Sequence, residues 1–118
     1  MRKLVSFIVA TLLCVAIYAE EREVQYSQLP KKARAFIETF FADREVNNVI
    51  LERRASLAQY EVKLKGGYKL QFSTSGNLTE IECKNKPIPE QVMPSQIRKF
   101  LKTQFPDRKV MGYEHENY

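Results

Sequence analysis

Histidine occurs once in this 118-residue sequence and cysteine twice. The histidine, His115, stands near the end of the chain with no ligand cluster beside it, so its expected place is the surface and no zinc or base role is assigned. Of the cysteines, Cys14 lies in a segment expected to be removed, which leaves Cys83 alone. A chain with one cysteine cannot staple itself, so packing alone must hold the fold even in an oxidising compartment. Without a second thiol or an accessible partner, no Ser/His/Asp or Cys/His nucleophilic set can be assembled. Glycine-rich phosphate loops are missing too: Gly66-Gly67 reads as a hairpin loop, because no helix start follows it. No catalytic, cofactor-binding or metal-ligating residue is therefore assigned, no cofactor is expected, and the chain does not read as an enzyme.

There is one long apolar run. Arg2 and Lys3 precede Leu4 to Ala16, and Ile17-Tyr18-Ala19 leads into Glu20-Glu21. That order is a secretory signal peptide, which points to the periplasm or secretion. The run falls short of the roughly 20 apolar residues of a comfortable membrane span, so no stable span is expected after cleavage. Cleavage is expected after Ala19, with Ala16 as the competing site. Leu13 stands where a lipid-anchor signal before Cys14 needs a small residue.

Residues 20–118 then form one expected domain. Removal of Arg2 and Lys3 lowers the formal charge from +5 to +3. An excess this small, with both signs interspersed, is a solvated surface and excludes a nucleic-acid footprint. Lys31, Lys32 and Arg34 read as helix-surface cations and not as a lipid-binding patch.

Hydrophobic periodicity supplies the elements. Ala33, Phe36, Ile37, Phe40 and Phe41 make one face of an amphipathic helix after Pro30. Ile97, Phe100, Leu101 and Phe105 repeat that stripe after Pro94, and Pro106 stops it. Tyr60, Val62 and Leu64, then Tyr68, Leu70 and Phe72, alternate with polar residues as half-buried strands. A three-residue loop Lys65-Gly66-Gly67 pairs Leu64 with Tyr68, Val62 with Leu70 and Tyr60 with Phe72, keeping apolar residues on one face. After the turn 74–77, pairing Phe72 with Thr79, Leu70 with Ile81 and Tyr68 with Cys83 turns the cysteine inward, as a small buried hydrophobe. A strand is expected over Val46 to Arg54, its inward face left open, with Ala55 to Ala58 as a loop.

Residues 29–52 set against 93–116 match without gaps at Pro30/Pro94, Arg34/Arg98, Phe36/Phe100, Thr39/Thr103, Phe41/Phe105, Asp43/Asp107, Arg44/Arg108, Val46/Val110 and Glu52/Glu116. This is an internal repeat of about 64 residues, complete over about 28–83 and partial over about 88–118. The expected fold is α+β: an antiparallel sheet with two helices packed on one face, in the order α-β-β-β-β-α-β. Both helix stripes, including Ile97, Leu101 and Phe105, are expected to be buried against the sheet.

The stretches "LPKKARAFIETFF", "YEVKLKGGYKLQFSTSGNLTEIEC" and "IPEQVMPSQIRKFLKTQFPDRKV" resemble the PepSY-like, beta-lactamase-inhibitor-like proteins exported by Bacteroides-type bacteria. The resemblance covers nearly all of the chain after the leader, and its markers are Gly76-Asn77 with Thr79 to Cys83, and Ile88-Pro89 through Pro94 to Phe105-Pro106. It implies a non-enzymatic binding or inhibitory module with no catalytic residues to carry over. It also implies two complete helix-plus-sheet units, whereas this chain is expected to lack the later strands of the second.

Two surfaces leave room for a partner, expected to be another periplasmic protein such as a hydrolase. One is the outward sheet face, assigned Glu61, Lys63, Lys69, Gln71, Leu78 and Glu80; cross-strand charge pairing explains its acids without acid–base catalysis. The other is the edge of the last strand, about Lys109 to Glu116, which can accept a partner strand or a second copy. The alternative function is accordingly a structural or envelope-associated homodimer.

Overall fold

The computed structural model describes residues 20–115. The expected cleavage site at Ala19 and the leader cysteine Cys14 lie outside them. Six strands form one antiparallel sheet in sequence order: β1 (Glu20–Val24), β2 (Val46–Arg54), β3 (Leu57–Leu64), β4 (Tyr68–Ser73), β5 (Leu78–Cys83) and β6 (Gly112–Glu114). Helix α1 (Lys31–Phe40) follows β1, and α2 (Ser95–Gln104) joins β5 to β6. The fold is α+β with both helices on one face of the sheet. The expected seven elements occur in order, and β1 precedes them; its EEREV sequence has too little alternation to read as a strand.

The central hairpin has the register that its side chains demand. Leu64 pairs with Tyr68, Val62 with Leu70 and Tyr60 with Phe72. Gly66 and Gly67 both take positive φ, at 99° and 88°, a region that costs a side-chain-bearing residue but not glycine. On the next pair, Leu70 meets Ile81 and Tyr68 meets Cys83 as expected, but a bulge puts Leu78, not Thr79, opposite Phe72. The connection expected at Ala55 to Ala58 is tighter than a loop: Arg54 pairs with Leu57, leaving Ala55 and Ser56 as the turn. Ala55 accordingly adopts φ 51°. Strand β2 buries Val49 and Leu51, which fixes the inward face that alternation alone left open.

The core is assembled from Leu29, Ala33, Ile37 and Phe41 below and Val49, Val62, Leu64, Tyr68, Leu70, Phe72, Ile81 and Cys83 above, closed by Ile88 and Met93. Each large side chain fully buried there contributes about 1.5–3 kcal/mol. The β4–β5 turn rests on the start of α1. Gly76 has φ 95°, and a Cβ on it would lie 2.9 Å from Lys32 Cβ and 3.0 Å from Pro30 Cβ. Lys32 also donates to Asn77 Oδ1 across that contact.

The repeat is more extensive in three dimensions than in sequence identity. The 3-10 turns Tyr26–Gln28 and Glu90–Val92 stand at equivalent places, although they share no residue. Pro30 and Pro94 cap the two helices with nearly the same dihedrals, φ −54° and ψ 145° against φ −56° and ψ 147°. Thr39 donates to the Ala35 carbonyl at 2.7 Å, and Thr103 to the Lys99 carbonyl at 3.0 Å. Val49 and its repeat counterpart Tyr113 each pair with an apolar residue of the preceding strand of their half, Val24 and Ile81. Each half is thus strand, 3-10 turn, helix, strand, with the β3–β4 hairpin following the first.

The expected burial of the second helix fails as well. Helix α2 contains no buried residue; Ile97 is 37% exposed, Phe100 58% and Phe105 49%. The physical reason is what lies beneath. Ala33, Ile37 and Phe41 join the core cluster, and Phe36 and Phe41 pack on the β4 rings of Phe72 and Tyr68, whereas Phe100 and Phe105 meet no ring among the described residues. A matched pair of substitutions measures this difference. Ile37→Ala should cost about 2–5 kcal/mol of unfolding free energy as a core truncation, and Phe100→Ala should stay within about 0.5 kcal/mol as a surface change, both read by urea denaturation. Gly76→Ala, strained at positive φ, should lose about 1–3 kcal/mol in the same assay.

Candidate functional site

Alternation sends one set of strand residues to the face opposite the helices. Across the middle of the sheet run Glu23, Ile50, Glu61, Gln71, Glu80 and Glu114, each opposite the next. To one side lie Glu21, Glu52, Gln59 and Ser73, and to the other Asn48, Lys63, Lys69, Glu82 and Gly112. Arg54 and Leu57 share this face by period-2 spacing. Of the residues expected here, Glu61, Lys63, Lys69, Gln71 and Glu80 are brought together on adjacent strands. Leu78 is not among them: the bulge places it opposite Phe72, and its side chain packs against the core.

The sequence reading missed Glu21, Glu23, Glu52 and Glu114 as members of the same surface, which Glu82 joins from beside Glu80. Their alternation is hidden because β1 is almost wholly charged, β2 carries a bulge between Val46 and Asn48, and β6 is only three residues long. With them the face is acidic rather than merely polar, since carboxylates outnumber Arg54, Lys63 and Lys69. The chain as a whole is positively charged, so the excess cations lie elsewhere.

A shallow cleft of about 500 Å³ opens on this face, lined by Glu52, Arg54, Leu57, Ala58, Gln59, Glu61, Lys69 and Gln71. Gln59 Nε2 donates to Glu52 Oε2 at 3.0 Å. Lys69 Nζ bridges Glu61 Oε1 at 3.6 Å and Glu82 Oε1 at 3.7 Å. Burial and a hydrogen bond with Glu52 raise the Glu61 carboxyl above the usual range, against the opposing pull of Lys69. Glu52 is lowered instead, first by the Gln59 donor and also by Glu61. The two carboxyls therefore shift in opposite directions, Glu61 up and Glu52 down, each partly because of the other. Burial pushes the Lys69 ammonium down, but Glu61, Glu82 and Glu80 together outweigh it and leave the group raised.

The remaining candidates hold no reaction centre. Cys83 is buried, its thiol 3.6 Å from the Gly66 carbonyl. His115 stacks on Tyr113 with the rings 11° apart, and its backbone amide donates to Thr79. Among the described residues no group of three or more His, Cys, Asp or Glu is placed to hold a metal ion. No helix among them is long and apolar enough to cross a membrane.

A family described, on a provisional basis, as beta-lactamase-inhibitor-like and PepSY-like matches the chain twice, at residues 15–79 and 58–118. The chain belongs to this family. Two overlapping matches agree with the two structural halves. A solved protein of Bacteroides thetaiotaomicron, described provisionally as a calcium-regulated periplasmic protein, is 32% identical with a TM-score of 0.79; the match covers 82% of this chain and 76% of that one. A periplasmic protein of Bacteroides vulgatus is 34% identical, also with a TM-score of 0.79 and the same coverage. Another from that organism, of unknown function, is 29% identical with a TM-score of 0.75, covering 84% of this chain and 79% of its own. No curated protein matches. The family is defined by likeness to an inhibitor and not by a reaction.

The carboxyl pair gives this PepSY-like chain a pH signature. Glu61 has its folded pKa raised, so its contribution to stability is full at low pH and is lost as pH rises through that value; Glu52, lowered, behaves oppositely. Glu61→Gln should therefore raise the urea midpoint at pH 7, and the advantage should vanish as pH falls through the carboxylate range. An unchanged advantage at pH 3 would show that packing, not ionisation, is responsible.

Proposed function

We propose that this chain is a non-catalytic protein-binding module of the periplasm, which docks a partner bearing a cationic surface on the outward sheet face. The acidic face carries this reading: half-buried Glu61, Glu80 and Glu82 lie across β3 to β5, with exposed Glu21, Glu23 and Glu114 beyond them, on a protein whose net charge is positive. Such a field favours encounter with basic surfaces and sets orientation more than it sets affinity. The inhibitor-like description of the family supports binding to another protein, and its periplasmic relatives support the compartment. Lys63 and Lys69 fix register within the patch by supplying the local exceptions to its charge.

Calcium does not enter the proposal. The Bacteroides thetaiotaomicron relative is described by it, but here the closest carboxyl pair is Glu52 and Glu61, already engaged by Gln59 and Lys69.

Crosslinking in envelope extracts tests the reading. The wild-type chain should give a specific crosslinked species, and the charge-reversed double variant Glu61→Lys, Glu80→Lys should lose at least tenfold of it. Recovery of monomer alone at native abundance overturns the proposal. A second reading, a homodimer through the edge of β6, is favoured by the exposed α2 stripe; it requires a mass that rises with concentration in light scattering.

A further inference from the structure

The two halves of the repeat differ in what covers their helices. In the first half three side chains converge on β4. Phe36 meets Phe72 with ring centroids 5.7 Å apart, Phe41 meets Tyr68 at 5.1 Å, and the Arg44 guanidinium lies 4.8 Å over the Tyr68 ring. These are edge-on aromatic and cation–π contacts of ordinary favourable geometry. Arg44 also reaches the hairpin loop, donating to the Lys65 carbonyl at 3.4 Å.

The second half carries the same three side chains at the same spacing: Phe100, Phe105 and Arg108. Matching caps hold the helix backbones alike. Here, however, both phenylalanines and Arg108 are exposed. Strand β6 takes the place of β2, bonded to β5 as β2 is to β1, and no described strand lies on its other side.

We infer that α2 and the open side of β6 form an acceptor groove for a β-hairpin of another protein. One strand of that hairpin adds to β6; the other presents an aromatic-x-aliphatic-x-aromatic pattern to the helix, as Tyr68, Leu70 and Phe72 do for α1. Main-chain pairing with an open edge supplies affinity, and the helix-facing side chains supply selectivity. The inference rests on reading the chain as a protein-binding module, but it names a surface separate from the acidic face.

Charge selects the occupant. Arg98, Lys102 and Arg108 line the groove, against Glu90 alone. A two-fold pairing of β6 with β6 of a second copy would set two basic helices side by side. A hairpin with carboxylates in and near its loop meets Arg108 where the Lys65 carbonyl meets Arg44. The groove therefore fits an acidic hairpin of a different protein better than a second copy.

The test uses the mature chain and a cyclised peptide copying residues 57–73, with Lys63 and Lys65 replaced by Glu, followed by fluorescence anisotropy. Saturable binding is expected, weakened at least tenfold by Phe105→Ser and by Arg108→Ser and unchanged by Lys99→Ser. A peptide with Tyr68 and Phe72 replaced by Ser should not bind. Circular dichroism of each exposed-site variant should match the parent. Absence of saturable binding, or equal binding by Phe105→Ser and Arg108→Ser, overturns the inference. So does a concentration-dependent dimer that Phe105→Ser dissolves, because the second copy is then the occupant. Two results separate this inference from the outward-face reading. A crosslinked partner lost with Glu61→Lys, Glu80→Lys but kept with Phe105→Ser supports that reading and counts against the groove. Groove binding without any crosslinked partner does the reverse.

Discussion

The pairing of Leu64 with Tyr68 decides most of this molecule. Because side chains alternate with a period of two, that one pair fixes which face of β3 and β4 is apolar. It places Val62, Leu70 and Phe72 over α1 and, through the next ladder, Ile81 and Cys83 beside them. The same choice sends Glu61, Lys69 and Glu82 to the opposite side. Core and acidic face are therefore two outcomes of a single register, held by two glycines that tolerate positive φ. A slip by one residue would bury the lysine and expose the phenylalanine.

The repeat explains why the second half is built as it is. The helix caps, the threonine back-bonds and the Val24–Val49 and Ile81–Tyr113 pairs show that both halves follow one backbone plan. The halves differ in coverage and not in plan. Phe36 and Phe41 find rings on β4, whereas Phe100 and Phe105 meet no ring of the described sheet and remain exposed. An apolar stripe can thus be strongly periodic without being core; periodicity reports a face, and only tertiary structure reports what lies against it.

That distinction marks how far the sequence could be read. The hairpin register was legible because it rests on local alternation and turn chemistry, whereas the Val46 to Arg54 strand was legible in extent but not in parity, its pattern being irregular. The inward turn of Cys83 was legible for the same reason as the hairpin. Leu78 was misplaced because a bulge shifts parity by one, and nothing in "GNLTEIEC" announces it. Strand β1 was missed because "EEREV" offers a single apolar residue, so its pairing with β2 is a tertiary fact. With β1 went Glu21 and Glu23, and with the unresolved parity of β2 went Glu52, so the outward face read as polar when it is acidic. The exposure of Ile97 and Phe105 was beyond reach from periodicity, which the two helices share except that Gln104 stands where the first has Phe40. The opposed shifts of Glu52 and Glu61 join residues on different strands and needed the fold.

The uneven covering of the helices also grades the molecule's cooperativity. Amide protection follows the buried contacts that must break for a segment to open. Helix α1, whose Ala33 and Ile37 are buried in the core, can be released only with it, so its amides report global unfolding. Helix α2 is anchored chiefly through Met93 and the half-buried Leu101 and can open while the rest stays folded. The chain thus carries a rigid half and a loosely latched half on one continuous sheet. Anything that covers Phe100 and Phe105 would then be felt as a slowing of hydrogen exchange along α2, well before it altered the melting of the whole.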